Sequence, residues 1–231
     1  MSLLIKDKEI VVPGEGLAEG TEYSAGNGTY KDKAGIVACR LGLIDIREKI
    51  INLLPLSGGY MPQRGDTIIG KIDDISFSGW RVDTNSAYSA MLSVKDATSE
   101  YINKGADLTR FYNLGDHIVT GIINVTSQKL IDLTMKGPGL RKLIGGRIIN
   151  VNSYKVPRII GKMGSMVNLI KDHTNCKITV GQNGLIWIDG TPKDELIAVN
   201  TIRKIEREAH TTGLTDKIKK YLEDSYKNEK A

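Results

Sequence analysis

The chain has 231 residues, 40% of them hydrophobic and 26% charged, which suits a folded soluble protein of one large domain or two to three small ones. Two distant cysteines (Cys39, Cys176) and three histidines (His117, His173, His210) match no metal spacing, no apolar run nears the roughly 18 residues of a membrane span, and MSLLIKDKEI turns charged too early for a secretory leader, so a reduced, cytoplasmic protein without membrane contact, metal or cofactor is expected. The net charge of +5 is uneven: residues 136–177 carry Lys136, Arg141, Lys142, Arg147, Lys155, Arg158, Lys162, Lys171 and Lys177 against Asp172 alone, a local excess that suits either a polyanionic partner or a solvated face.

Residues 1–62 read as strands and turns. EIVVPGEG and AGIVACRLGLIDI are short β-branched runs bounded by glycine, and the Asn27-Gly28 step in EYSAGNGTYKD predicts a tight hairpin. Pro62 and Gly65 in MPQRGD mark a boundary. Residues 63–137 then predict a five-stranded barrel of the OB type. Its strands are DTIIGKIDDI, SGWRVD, AYSAMLSV, DHIVTGIINVT and KLIDLTM, with a turn at Asp83–Ser86 and a polar, partly helical excursion, EYINKGADLTRFYNLGD, between the third and fourth. Apolar alternation in these strands is imperfect.

GPGLRKL reads as a linker. Residues 145–211 give strand, helix, helix, strand, strand, helix. GRIINVNS is the first strand, and SMVNLIKDHT is a helix with Met166, Leu169 and Ile170 on one face. CKITVGQNGLIWIDG is a hairpin turning at Gly181–Gly184, with Trp187 packed inside. In TPKDELIAVNTIRKIEREAH, Thr191 caps the helix, Pro192 takes its first position and Asp194 the capping-box slot, while Leu196, Val199, Ile202 and Ile205 face the sheet. Residues 212–231 are a charged terminal helix or a tail.

GDTIIGKI (65–72) nearly fits a phosphate loop, but Ile72 replaces the metal-binding hydroxyl and the run reads as a strand. PRIIGKMGS fails too, since Val156 stands where the first glycine is required. What remains is a G-x-x-G pattern, Gly161–Gly164, between two short helices in the most basic stretch. Glycines there let a sugar–phosphate approach without a Cβ in the way, and Lys162 adds one cation. Lys155, Arg158 and Met163 complete the candidate RNA-binding loop. His173 and Cys176 nearby read as a helix-end residue and a buried thiol. In the barrel, Phe77, Trp80, Tyr88 and Tyr112 are candidate base-stacking platforms, though some must be core, and Lys71, Arg81, Arg110 and His117 are candidate phosphate contacts. Asp73-Asp74 lacks a third acid for a metal, and no nucleophile–base set emerges, so no enzyme is expected.

GDTIIGKIDDISFSGWRVD through KLIDLTM resembles an S1 RNA-binding domain, and GRIINVNSYKVPRIIGKMGSMVNLIKDHTNCKITVGQNGLIWIDG resembles a type I KH domain (βααββα). Preceded by a β-rich stretch with VVPGE, this order resembles the S1/KH cap subunits of the archaeal exosome, the ribosomal RNA processing protein 4 family. The resemblance implies a mainly β chain with α+β content: an N-terminal ring-docking domain (1–62), an S1 barrel (63–137) and a KH domain (145–211). It implies a non-catalytic RNA-binding role, with three copies capping a ring of RNase PH-like subunits that holds the degradative sites. The alternative is a stand-alone S1–KH factor in transcription or translation.

Overall fold

The computed structural model describes residues 3–98, 102, 103, 105–211 and 213–228. In the first of its two compact units, residues 1–58, apolar runs broken by glycine form seven short strands: β1 (Ile10–Val11), β2 (Gly16–Glu19), β3 (Ser24–Ala25), β4 (Thr29–Lys31), β5 (Gly35–Ala38), β6 (Gly42–Arg47) and β7 (Ile50–Pro55). They lie in two sheets, ordered β1-β6-β7-β3 and β2-β5-β4, around a small core of Val11, Leu17, Ile36, Ile44, Ile51 and Leu53. Asn27-Gly28 does turn the chain, with Gly28 at φ 75°, but it does not make the expected hairpin. β3 runs parallel to β7 while β4 pairs with β5. Asn52 accepts the Asn27 amide at 3.0 Å, and the Thr29 hydroxyl donates to the Ile51 carbonyl at 2.9 Å. The turn is thereby pinned to β7, and its two arms leave for different sheets.

The second unit spans residues 59–231. Its barrel consists of β8 (Thr67–Ser76), β9 (Gly79–Asp83), β10 (Ala90–Ser93), β11 (His117–Val125) and β12 (Ile131–Thr134). Hairpin neighbours pair antiparallel, β10 and β12 pair in parallel, and the β11–β12 ladder closes the five-stranded ring. A short helix, α1 (Val94–Ala97), follows β10. Of the excursion after it, Glu100, Tyr101 and Lys104 lie outside the described residues, and Leu108–Arg110 form a 3₁₀ turn capped by Asp107. Tyr60, assigned by sequence to the N-terminal region, is buried in the barrel core with Ile68, Ile72, Trp80, Leu92 and Leu133. The expected linker GPGLRKL is only partly a linker: β13 (Arg141–Leu143) pairs with the start of β11 and extends the barrel sheet.

The strands β14 (Arg147–Asn150), β15 (Lys177–Val180) and β16 (Leu185–Asp189) form a sheet ordered β14-β16-β15. Helices α2 (Val156–Ile160), α3 (Ser165–Thr174) and α4 (Pro192–Glu208) complete the expected βααββα order. Thr191 caps α4 by accepting the Asp194 amide at 3.3 Å. The buried stripe of α4 is Ile197, Ala198, Thr201, Ile202 and Ile205, so Leu196 does not face the sheet as expected; it is 53% exposed, and Val199 is half-buried. The ambiguous terminal stretch is a helix, α5 (Leu214–Asn228). Leu214, Ile218 and Leu222 recur every four residues, a single helical face, and all three enter the core of this α+β unit.

Candidate nucleic-acid interface

α2 ends because Gly161 takes φ 74° and ψ 174°, outside the helical region, while its amide still reaches the Pro157 carbonyl at 2.9 Å. The next residues turn tightly: Met163 has φ 53° and ψ 30°, and Gly164 has φ 80° and ψ 8° before α3 begins. The two glycines serve different ends. A Cβ on Gly161 would lie 2.7 Å from the Met166 amide nitrogen, so this glycine permits a close backbone approach. A Cβ on Gly164 would meet nothing nearer than Asn168 at 3.6 Å; it is the left-handed φ that favours glycine there. Lys162 and Met163 project from the loop, Met163 being 97% exposed. The loop is thus an open backbone surface with one cation at its tip.

The basic stretch around it divides by geometry. Lys142 pairs with Asp116, Arg147 with Glu195 at 3.8 Å, and Lys177 with Asp189 at 3.7 Å. Arg141 lies 5.6 Å from the Trp187 ring centroid and donates to the Thr179 hydroxyl. Lys155, also expected at the RNA site, donates to the Glu206 carbonyl at 2.9 Å and ties α4 to the start of α2. Among the described residues no ion pair engages Arg158, Lys162 or Lys171. Several of the local cations are therefore engaged in the scaffold, and Arg158 and Lys162 stand unpaired beside each other at the loop. Cys176 is buried, which pushes its thiol up, and His173 holds the Leu169 carbonyl within α3.

The barrel candidates separate as sharply. Trp80 is fully buried; its indole donates to the Tyr112 carbonyl at 2.9 Å and meets the Tyr112 ring edge-on at 5.3 Å. The Tyr112 hydroxyl donates to Ala97, and Tyr88 packs half-buried on the same core. Trp80 is therefore core and offers no face to a base, while Tyr88 and Tyr112 are half-buried and pack against that core. Phe77 is the opposite case: at the tip of the β8–β9 hairpin it is 99% exposed. It borders a hollow of about 450 Å³ lined also by Ile75, Val94, Asn103, Asp107 and Leu108. Arg81 is held by Asp73 and Asp74, and Arg110 lies 3.8 Å from Asp107. Lys71 and His117 face each other across β8 and β11. Burial first, then the Lys71 ammonium, pushes the His117 imidazole below its ordinary value, with Asp116 pulling it up.

Gly181–Gly184 is a hairpin turn, as expected, and something more. Asn183 is fully buried against the barrel: its amide nitrogen donates to the carbonyls of Ile69 at 2.7 Å and Thr84 at 2.8 Å, and its oxygen accepts the Ile69 amide at 3.3 Å. Gln182 exchanges two hydrogen bonds with Thr67. Trp187 packs between the barrel and the α+β sheet with Ile69, Val119 and Leu143, and its indole donates to Gly145 at 2.8 Å. The imperfect alternation in β8 was the available signal. Ile68 faces the barrel core, and Ile69, on the outer face, is buried under this joint.

Three sequence families match the chain: "Exosome RNA binding protein RRP4 N-terminal domain" over residues 8–57, "RRP4, S1 domain" over 59–104 and "KH domain" over 146–194. The exosome complex component Rrp4 of Pyrococcus furiosus is 46% identical over 95% of this chain and 84% of its own length. That of Methanobrevibacter smithii is 43% identical over 95% of this chain and 72% of its own length. A crystal structure assigned to an exosome complex RNA-binding protein superposes with a TM-score of 0.67 at 36% identity, covering 74% of this chain and 99% of its own.

Proposed function

Because the chain belongs to the Rrp4 family of exosome components, we propose that it is a non-catalytic RNA-binding subunit that caps a ring of RNase PH-like subunits and guides single-stranded RNA into its pore for 3′-to-5′ degradation. Three copies share one ring, and the assembly works in the cytoplasm. The observation that carries the RNA role is the open glycine loop, where Lys162 and, beside it, Arg158 stand exposed with no ion-pair partner among the described residues, while Lys142, Arg147, Lys155 and Lys177 are engaged. Phe77 supplies a stacking face at a second place, on the barrel.

Docking on the ring falls to the N-terminal unit. Ile10 and Leu54 lie directly across from Leu43 on the adjoining strands, so the three share one face of the β1-β6-β7 sheet. Ile10 is 61% exposed and Leu54 55%. A contiguous apolar row on a small soluble sheet is the mark of an interaction surface. The test is reconstitution: the tagged protein retains RNase PH-like subunits, and adding it to the ring speeds RNA shortening while the protein alone leaves labelled RNA intact. Recovery of ribosomes or RNA polymerase without ring subunits refutes the proposal. If the loop and its surroundings hold about three phosphates, log affinity for single-stranded RNA falls with log salt at a slope near −2, at roughly 0.7 per phosphate.

A further inference from the structure

Beside the glycine loop, on the side where α5 begins, lies a cleft of about 400 Å³. One wall is Arg158 on α2, Lys162 in the loop and Ser165 at the start of α3; the other is Leu214, Thr215 and Asp216 in α5. Its size is within the range of clefts that hold a small ligand or one nucleotide unit. α5 is locked in place behind it: Leu214, Ile218 and Leu222 are buried, and the Lys204 ammonium sits 4.1 Å from the Tyr221 ring centroid. The second wall is therefore anchored to the core of the α+β unit.

We propose that this cleft takes a phosphate of the bound single-stranded RNA, next to those held by the Gly161–Gly164 loop, so that α5 is part of the RNA site; this rests on the reading of the loop as an RNA clamp. The cleft presents two exposed cations that no carboxylate among the described residues neutralises by direct pairing, together with hydroxyls on both walls. A phosphate diester satisfies both features, donating nothing and accepting from each. Asp216 is the one carboxylate lining the cleft, and it opposes that anion. Its place makes it a brake: it lowers affinity at this subsite, so that a strand is held without being trapped.

The sign of this effect is what the experiment reads. The full chain carrying Asp216→Asn is titrated against a short labelled oligouridylate, with Asp224→Asn as the matched control. Asp224 is exposed on the same helix, eight residues on and so about 12 Å away along the axis, beyond a Debye length of about 8 Å at physiological salt. Asp216→Asn raises affinity about two- to fivefold, the range of an exposed charge interaction, and Asp224→Asn leaves it unchanged. Arg158→Gln lowers affinity by a similar factor and reduces the salt slope by about 0.7. If Asp216→Asn shifts affinity no more than Asp224→Asn does, the cleft is empty of RNA and the proposal falls. Gly164→Asp, measured alongside, separates the two readings. Its weakening of binding with Asp216→Asn silent removes the cleft alone, and silence of both variants removes the loop as well.

Discussion

At the scale of single residues, the two loop glycines have different consequences. A Cβ at Gly164 would make only ordinary contacts, with Asn168 at 3.6 Å and Val167 at 3.9 Å, and aspartate tolerates its left-handed backbone better than most residues do. On the proposed RNA clamp, Gly164→Asp keeps the fold and weakens RNA binding by setting a carboxylate against the phosphates; a filter-binding titration with unchanged affinity would remove the loop from the site. Gly161 was legible as a loop glycine, but its reason, the Met166 backbone beneath it, was not, because that contact depends on how α3 enters. The aromatic residues make the same point. Phe77 and Trp80 lie three residues apart in one hairpin, yet one is wholly exposed and the other wholly buried. Phe77→Ala leaves the melting temperature unchanged and weakens binding by the roughly 1–3 kcal/mol of a lost stacking face, whereas Trp80→Ala costs about 3–5 kcal/mol of stability. His117 sets a pH response. Its lowered pKa means that charging it costs more in the folded protein than in the unfolded chain. Stability is thus full above the unfolded value of about 6.5 and declines as pH falls below it. Asp116 is half-buried, and the desolvation that raises its carboxyl is outweighed by Lys142 and the Asn113 amide, which hold it low, so its own loss begins only at more acid pH. Denaturant titrations between about pH 7.5 and about pH 5.5 show this decline, and His117→Gln flattens it.

At the scale of elements, local pattern placed strands and helices well and placed their partners less well. The α4 stripe is shifted from Leu196 to Ile197 because the surface it covers includes α5 as well as the sheet, and no local period reveals a second partner. α5 itself carried a readable four-residue repeat, but whether it docked depended on a groove built by α3 and α4. Ile218 is fully buried there, so Ile218→Ala costs about 2–5 kcal/mol, measurable as a lowered denaturation midpoint. The Gly181–Gly184 hairpin followed from its glycines and Asn183. Its insertion into the barrel did not, since the carbonyls it serves, Ile69 and Thr84, lie about a hundred residues away in the chain. Removing the side chain strands those buried groups, at about 1–3 kcal/mol for each one left unsatisfied. Asn183→Ala accordingly lowers the melting temperature of the second unit, and limited proteolysis then cleaves between the barrel and the α+β sheet, near Gly145.

At the scale of the molecule, the chain splits into two compact units, and the proposed function assigns the first to a protein partner and the second to RNA. Ile10→Asp with Leu54→Asp, both on outward positions of the N-terminal sheet, abolishes co-purification with ring subunits and leaves RNA affinity intact; retention of the ring would place the docking surface elsewhere. The sequence by itself determined the domain order, the barrel and βααββα patterns, the glycine loop and the excess of positive charge beside it. These are written in short-range features: β-branched runs, the helical period of 3.6, turn residues and caps, and, for the charge, local composition. The tertiary structure alone decided which cations remain free, which aromatics are core, that Arg141–Leu143 join the barrel sheet, and that Asn183 and Trp187 bind barrel to α+β sheet. Those outcomes rest on pairs of residues far apart in the chain, and a side chain's availability to a ligand is fixed by what the fold leaves uncovered.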